Sequence, residues 1–418
     1  MTALDASAAG GTELPTRPVR AVLTALIGTI AAALPPFLFG GLAANVRRDL
    51  GFGVEGIGLA VAGYFLVSAV ASITNGGVGD RWGARRAILA GAVVSGITLV
   101  SMGAAQNEWQ LGIALAFGGF GNALIQPAAN LLLTQHVPEP RRGLAFGIKQ
   151  SAIPASALLG GLAVASAGES LGWRGAFFAG VILAVATAFL TPPERTGSSS
   201  PAPQARTRSR ITLGLALLAA AAGASTAAAN SMSSYLVEFS IDTGMSNRAA
   251  GFVLMAGSAA GLISRIVIAW QSDHRPGEHI RVVAMLMGGA TIGYLILATF
   301  VSPTLVVLGA MIAFTLGWGW NALLIYSVVR LYPEAPAAAT GVSMGGGFAG
   351  SVFGPALFGY LVGSFGFTSA WIGAAVCSAA AAMFVAAGRR RISTERGGAP
   401  GPGVGATAPT PVTHGRRR

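Results

Sequence analysis

Charge is what this chain has least of. Only 10% of its 418 residues are Asp, Glu, Lys or Arg, against 53% hydrophobic residues and a mean hydropathy of +0.64. No polar skin for a water-soluble globule can be assembled from that composition, so a soluble enzyme is excluded and lipid is the expected surroundings. Cysteine occurs once, at Cys377, which rules out an internal disulfide and a cysteine-built zinc cluster. The GxxxxGK[ST] phosphate loop is missing, which argues against a pump driven directly by ATP. No motif calls for a metal or an organic cofactor. Acids are scarce where they would matter most: all fifteen fall in loops, tails or the last turn of an apolar segment, with Glu55, Asp80, Glu238, Asp242 and Asp273 nearest the membrane. Lysine occurs once, at Lys149, inside an otherwise apolar stretch, GIKQSAIPAS.

What is present is a succession of apolar runs near the 20 residues that cross a hydrocarbon core of roughly 30 Å. They fall at about 21–44, 54–79, 87–105, 110–133, 143–167 and 173–191, and then at 211–236, 248–270, 282–301, 304–329, 337–364 and 368–388. The fold class expected is an all-α membrane protein of twelve transmembrane helices in two six-helix bundles. The bundles are 21–191 and 211–388, joined by a Pro-, Ser- and Arg-rich cytoplasmic linker at 192–210 that can bury nothing. Residues 1–20 read as a cytoplasmic N-terminal tail, with nothing to be cleaved, and 389–418 as a disordered basic cytoplasmic tail.

Positive loops stay on the cytoplasmic side. With both termini inside, 21 of the 27 cations are cytoplasmic, Arg47, Arg48, Arg174 and Arg248 lie outside, and Lys149 and Arg265 remain within the membrane. The net charge of +12 is therefore a topology signal for a multi-pass protein of the plasma (inner) membrane and does not indicate nucleic-acid binding. A monomer in the bilayer, with a small molecule as its partner, is the expected state.

The two halves repeat. Gly147 and Gly341, Gly160 and Gly354, and Gly172 and Gly366 are each 194 residues apart, and Asp80 and Asp273 are 193 apart. A near-constant offset across several helices is the mark of an internal duplication around a central cavity. Between the second and third segments, NGGVGDRWGARR places Gly76, Asp80, Arg81, Gly83, Arg85 and Arg86 in a Gly-x-x-x-Asp-Arg-x-Gly-x-Arg-Arg pattern that resembles the signature loop of the major facilitator superfamily. VPEPRRGLAFG and LGWRGAFF fit the same resemblance, and a degenerate second copy holds Asp273 and Arg275. The resemblance implies the two-bundle transporter fold and a gating role for these rim residues.

A charge deep in a bilayer persists where the protein interior uses it. Helical side chains lean toward the N-terminus, so Lys149 leans back to the cytoplasm and Arg265 toward the midplane. No acid lies at their depth, which leaves the empty cavity positive and suited to an anion. The expected site is a clamp of Lys149 and Arg265 on the negative group of a small substrate. Polar neighbours expected to line it are Gln150; Asn122, Gln126 and Asn130, four apart on one helix; Asn230 and Tyr235; and Asn321 and Tyr326. Pro35-Pro36 and Pro127 are candidate helix breaks. The spacing Gly261, Arg265, Ala269, Asp273 looks like the arginine-bearing eighth helix of monocarboxylate and oxalate/formate-type carriers, with Gly261 where proton-coupled members place an aspartate. That resemblance implies carboxylate recognition at Arg265.

The function expected is secondary active transport of a small organic, carboxylate-like anion by alternating access. Moving one negative charge inward against 100 mV costs about 2.3 kcal/mol, which favours export, exchange or uptake of the protonated acid. Two other readings stay open: a proton-coupled drug or multidrug efflux antiporter, for which an acidic cavity residue and an arginine at Leu115 are wanting, and a non-transporting membrane sensor on the same scaffold.

Overall fold

A computed structural model describes residues 16–74, 82–167, 172–193, 212–274, 279–299, 302–332 and 335–397. Gly76, Asp80, Arg81 and Arg275 of the rim, the side chain of Asp273 and most of the linker lie outside these residues. The described chain is helical: α1 Thr16–Leu50, α2 Val54–Thr74, α3 Ala84–Ala104 and α4 Glu108–His136; then α5 Arg142–Gln150, α6 Ala152–Ala167 and α7 Gly172–Leu190. The second half holds α8 Leu213–Asp242, α9 Asn247–His274, α10 His279–Thr299, α11 Pro303–Gly317, α12 Trp320–Leu331 and α13 Pro336–Gly397. Consecutive α5 and α6 make one span, as do α11 and α12, while α13 holds two spans that meet at Gly366. Twelve crossings result, six in each half. Large apolar side chains cover the outer surface, among them Phe189, Phe353, Ile113 and Ile182, as lipid contact requires.

Several helices outrun their apolar cores. The first begins at Thr16 and ends at Leu50, where the sequence predicts 21–44; α8 reaches Asp242, where it predicts 236. The last helix runs on to Gly397 and takes in residues 389–397 assigned above to a disordered tail. Hydropathy marks the part of a helix in hydrocarbon, whereas backbone hydrogen bonding continues through the interface, and basic residues at a C-terminal end favour it. The predicted breaks move as well. Helix α1 is continuous through Pro35 and Pro36, and α4 through Pro127. The interruptions fall at Ser151 and at Trp318-Gly319.

The duplication is visible as geometry. Gly172 and Gly366 both take φ values that side-chain-bearing residues rarely adopt, +61° and +80°, at equivalent turns in the two halves. Gly51 and Gly244, at +73° and +89°, form a further such pair. Gly160 lies close to the Phe37 carbonyl of α1, and Gly354 close to Ala227 of α8, so each half packs its fifth crossing on its first through a glycine.

The halves converge at the end away from Thr16 and Gly397, here called the distal end. Arg47 of α1 pairs with Glu238 of α8 at 2.6 Å. The Tyr235 hydroxyl donates to the Val54 carbonyl at 3.1 Å, and the Asn247 amide to Asn45 at 3.2 Å. Helices α6 and α9 touch through facing glycines: a methyl group on Gly161 would stand 2.6 Å from the Met255 nitrogen, and one on Gly251 2.7 Å from that of Ala165. Toward the other end the packing loosens. A methyl on Gly143, Gly147, Gly341 or Gly345 would meet no atom within 4 Å. The halves are therefore joined distally, and open space adjoins α5 and the start of α13.

Candidate functional site

Lys149 is the last-turn residue of α5 and is 2% exposed. Its ammonium donates to the Gln126 side-chain oxygen on α4. The Gln126 amide donates to Asn122 at 3.3 Å, and the Asn122 amide to the Ser68 hydroxyl on α2 at 2.7 Å. Three helices of one half are thereby linked through a row of side chains that ends on the lysine. Burial at this level excludes escape of the ammonium to water along its own stem, the alternative that its lean toward the cytoplasm allows. One of the three ammonium donors is used in this row.

Arg265 of α9 is held differently. Its Nε donates to the Trp318 carbonyl at 2.8 Å and its Nη1 to the Gln150 carbonyl at 2.6 Å. Both acceptors are carbonyls that a helix has left free. Trp318 follows the end of α11, where the last carbonyls have no intrahelical donor. Gln150 would bond the nitrogen of residue 154, which is a proline and has no hydrogen to give. The guanidinium also lies over the Trp318 ring, 5.4 Å from its centroid, and that ring packs on Phe37 from the other half at 5.8 Å. Gly261 fixes how α9 approaches α11: a methyl there would stand 3.1 Å from the Phe314 carbonyl. The position that bears an aspartate in the resembling carriers thus faces the backbone of α11.

Among the described residues, neither cation pairs with a carboxylate. The ion pairs Arg47–Glu238 and Arg174–Asp49 both lie at the distal end. The partners that the described residues offer Lys149 and Arg265 are neutral: an amide oxygen and two main-chain carbonyls. The Trp318 indole N–H, on a side chain 3% exposed, is buried without an acceptor. Arg265 and the Trp318 indole thus share the break at α11–α12, while Lys149 lies in the last turn of α5, one residue before Gln150, whose carbonyl Arg265 takes up.

The structure sorts the expected lining residues. It brings Lys149, Gln126 and Asn122 into one row and joins the Gln150 main chain to Arg265. Asn130 is exposed on α4 and Asn321 half-buried on α12. Asn230 spends its amide on Ser351 at 2.9 Å, a bond between α8 and α13 within one half. Tyr235 is fully buried, and its hydroxyl joins the halves at the distal end. The Tyr326 ring packs on His279 of α10 and meets Arg330, within its own half. Of the rim residues described, Gly83 precedes α3 with φ +82°, Arg85 is half-buried and Arg86 exposed. Sequence reasoning missed Trp318, Pro154 and Ser68. The GWGW run at 317–320 and the spacing of four from Gln150 to Pro154 were the available signals.

A bundle of twelve crossings in two pseudo-symmetric halves, closed at one end around buried polar groups, defines a membrane transporter. The family model of the Major Facilitator Superfamily matches residues 22–342, and the chain belongs to that superfamily of secondary transporters. Among curated proteins, the Multidrug resistance protein MdtG of Escherichia coli strains, K12 / DH10B included, is 37% identical over 127 residues. That match spans 30% of this chain and 31% of the length of MdtG. Among solved structures, the D-xylose-proton symporter superposes with a TM-score of 0.73 at 16% identity, over 88% of this chain and 97% of that one. The nucleoside transporter NupG gives 0.70 at 14%, over 88% and 99%. At those identities the likeness concerns the fold.

Proposed function

We propose that this protein carries a small organic anion, carboxylate-like in charge, across the membrane by alternating access between its two halves. The observation that carries the proposal is the pairing of Lys149 and Arg265, among the described residues, with neutral acceptors. Two buried cations without a countercharge are costly, and an anionic guest that brings its own charge offsets that cost. An arginine suits a carboxylate because two of its N–H groups can grip both oxygens, while the lysine adds a point charge with ammonium donors to spare. The free Trp318 N–H is a further donor for the same guest. A cationic cargo would need an acid at this depth, and the described acids nearest the membrane, Glu55 and Glu238, belong to the distal end. The rim residues Gly76, Asp80, Arg81, Gly83, Arg85, Arg86, Asp273 and Arg275 serve the change of conformation in this account. Both termini are cytoplasmic in it, so the distally closed conformation faces inward.

The test is flux. Purified protein in liposomes is offered labelled acetate, lactate, malonate and benzoate, inorganic anions, and a cationic dye, with and without a proton gradient. Saturable flux of a carboxylate, lost in Arg265→Ala, supports the proposal. A second reading, drug efflux, is favoured by the likeness to MdtG over 127 residues; saturable, gradient-driven movement of the cationic dye with no movement of any anion would replace the first reading by the second.

A further inference from the structure

The contact between Arg265 and Gln150 joins opposite halves, and the carbonyl it uses lies four residues before a proline. In an uninterrupted helix the carbonyl of residue 150 is claimed by the N–H of residue 154. Pro154 has none, so the carbonyl is left over at the junction of α5 and α6. Around it the helix repairs itself, with Ser151 N–H bonded to the Gly147 carbonyl at 3.1 Å and Ala155 N–H to that of Ser151 at 3.1 Å. The Gln150 carbonyl is answered from the other half, by Arg265 Nη1.

We infer that Pro154 is a positioning residue for Arg265: by withholding a hydrogen-bond donor from its own helix it presents the Gln150 carbonyl to the guanidinium, which then ties the two halves together in the distally closed conformation. Arg265 is suited to this because its second bond, to the Trp318 carbonyl at 2.8 Å, anchors it to its own half. One side chain spans two helix interruptions, one in each half. Parting α6 from α9 at Gly161 and Gly251 requires that the tie be released. Resting on the anionic reading above, the release is supplied by substrate: a carboxylate accepts more strongly than a neutral carbonyl and competes for the same N–H groups. Binding of the anion is thereby coupled to freedom of the halves to separate.

The experiment measures the distal opening directly. Arg48 and Arg248 are exposed at the distal end on opposite halves. Arg48→Cys and Arg248→Cys, in a Cys377→Ser background, carry spin labels for pulsed-EPR distance distributions in lipid nanodiscs. Pro154→Ala restores the donor and should raise the ratio of separated to closed populations about tenfold, the worth of one charge-assisted hydrogen bond. Pro154→Gly, which restores the same N–H without favouring a straight helix, should act alike. Arg265→Ala should produce a shift of the same size, and Pro154→Ala added to it should change nothing more. A shift for alanine alone, or additive shifts in the double variant, would mean that the proline acts by bending the helix and would overturn the inference. So would distributions for Pro154→Ala and Pro154→Gly identical to the parent. Titrating acetate, lactate, malonate and benzoate into the labelled parent separates the two proposals. A proline-dependent shift without any response to these anions keeps the tie and removes the anionic reading.

Discussion

The two buried cations sit on opposite halves, and their surroundings differ in kind. Lys149 ends a row of side chains, Ser68, Asn122 and Gln126, that belongs wholly to its own half. Arg265 rests on main-chain carbonyls, one in each half, at the points where two helices are interrupted. A side-chain row moves with its bundle as a rigid part and keeps its geometry whatever the other half does. A bond to the opposite main chain has to be made and broken as the halves rock. The difference gives the first cation donors of constant geometry and the second donors whose freedom depends on conformation, and on the inference above it is the second that couples binding to movement.

The largest effect that sharpens this contrast is expected at the arginine. Arg265→Ala should lower saturable anion flux by about 100-fold, equivalent to about 3 kcal/mol, with insertion into the membrane unchanged. Arg265→Lys, which keeps the charge and loses the fork, should fall between; equal flux in all three proteins would break the contrast outright. Next comes the row on the other side. Gln126→Leu leaves a buried ammonium without its acceptor and should cost about 2–3 kcal/mol of stability, read as a lowered unfolding midpoint in detergent. Adding Lys149→Met to that variant should recover most of the loss, because an apolar pair needs no acceptor. An unchanged midpoint for Gln126→Leu would mean that the lysine reaches water. The smallest effect belongs to Tyr235→Phe, which removes one bond at the distal closure, about 1 kcal/mol, and should change the turnover of every transported anion by the same factor. A changed ranking of anions would place Tyr235 in the substrate site.

Much of this was legible in the residues alone. Apolar runs gave the twelve crossings, and the offset of 194 anticipated paired glycines that turn out to share unusual φ values or the same close packing. The two interior cations stand out because nearly everything around them is apolar, and their want of acidic partners follows from where the acids fall in the chain. Helix ends were less legible, since hydropathy ceases at the lipid boundary while the helix continues. Which proline interrupts a helix was not legible at all. Pro35, Pro36 and Pro127 are accommodated within α1 and α4, whereas the break near Pro154 coincides with a carbonyl that a distant arginine takes up. Tyr235 and Tyr326 sit in polar, helix-facing positions like those of a lining residue, and only the tertiary arrangement separates a contact across the halves or onto a flanking helix from a contact with a cavity. Trp318 reads as an ordinary apolar residue until its ring, its carbonyl and its unpaired N–H are found around one guanidinium.

The central claim is that the interior offers positive charge with no carboxylate among the described residues to balance it. Ligand-induced thermal stabilisation tests it most directly, because whatever binds the folded state raises its unfolding midpoint in proportion to its occupancy. Purified protein is heated with matched concentrations of small carboxylates, inorganic anions, neutral sugars and nucleosides, and lipophilic cations. The account predicts that at least one carboxylate raises the midpoint in a saturable way and that Arg265→Ala abolishes the rise. Stabilisation by lipophilic cations alone, persisting in Arg265→Ala, would contradict it.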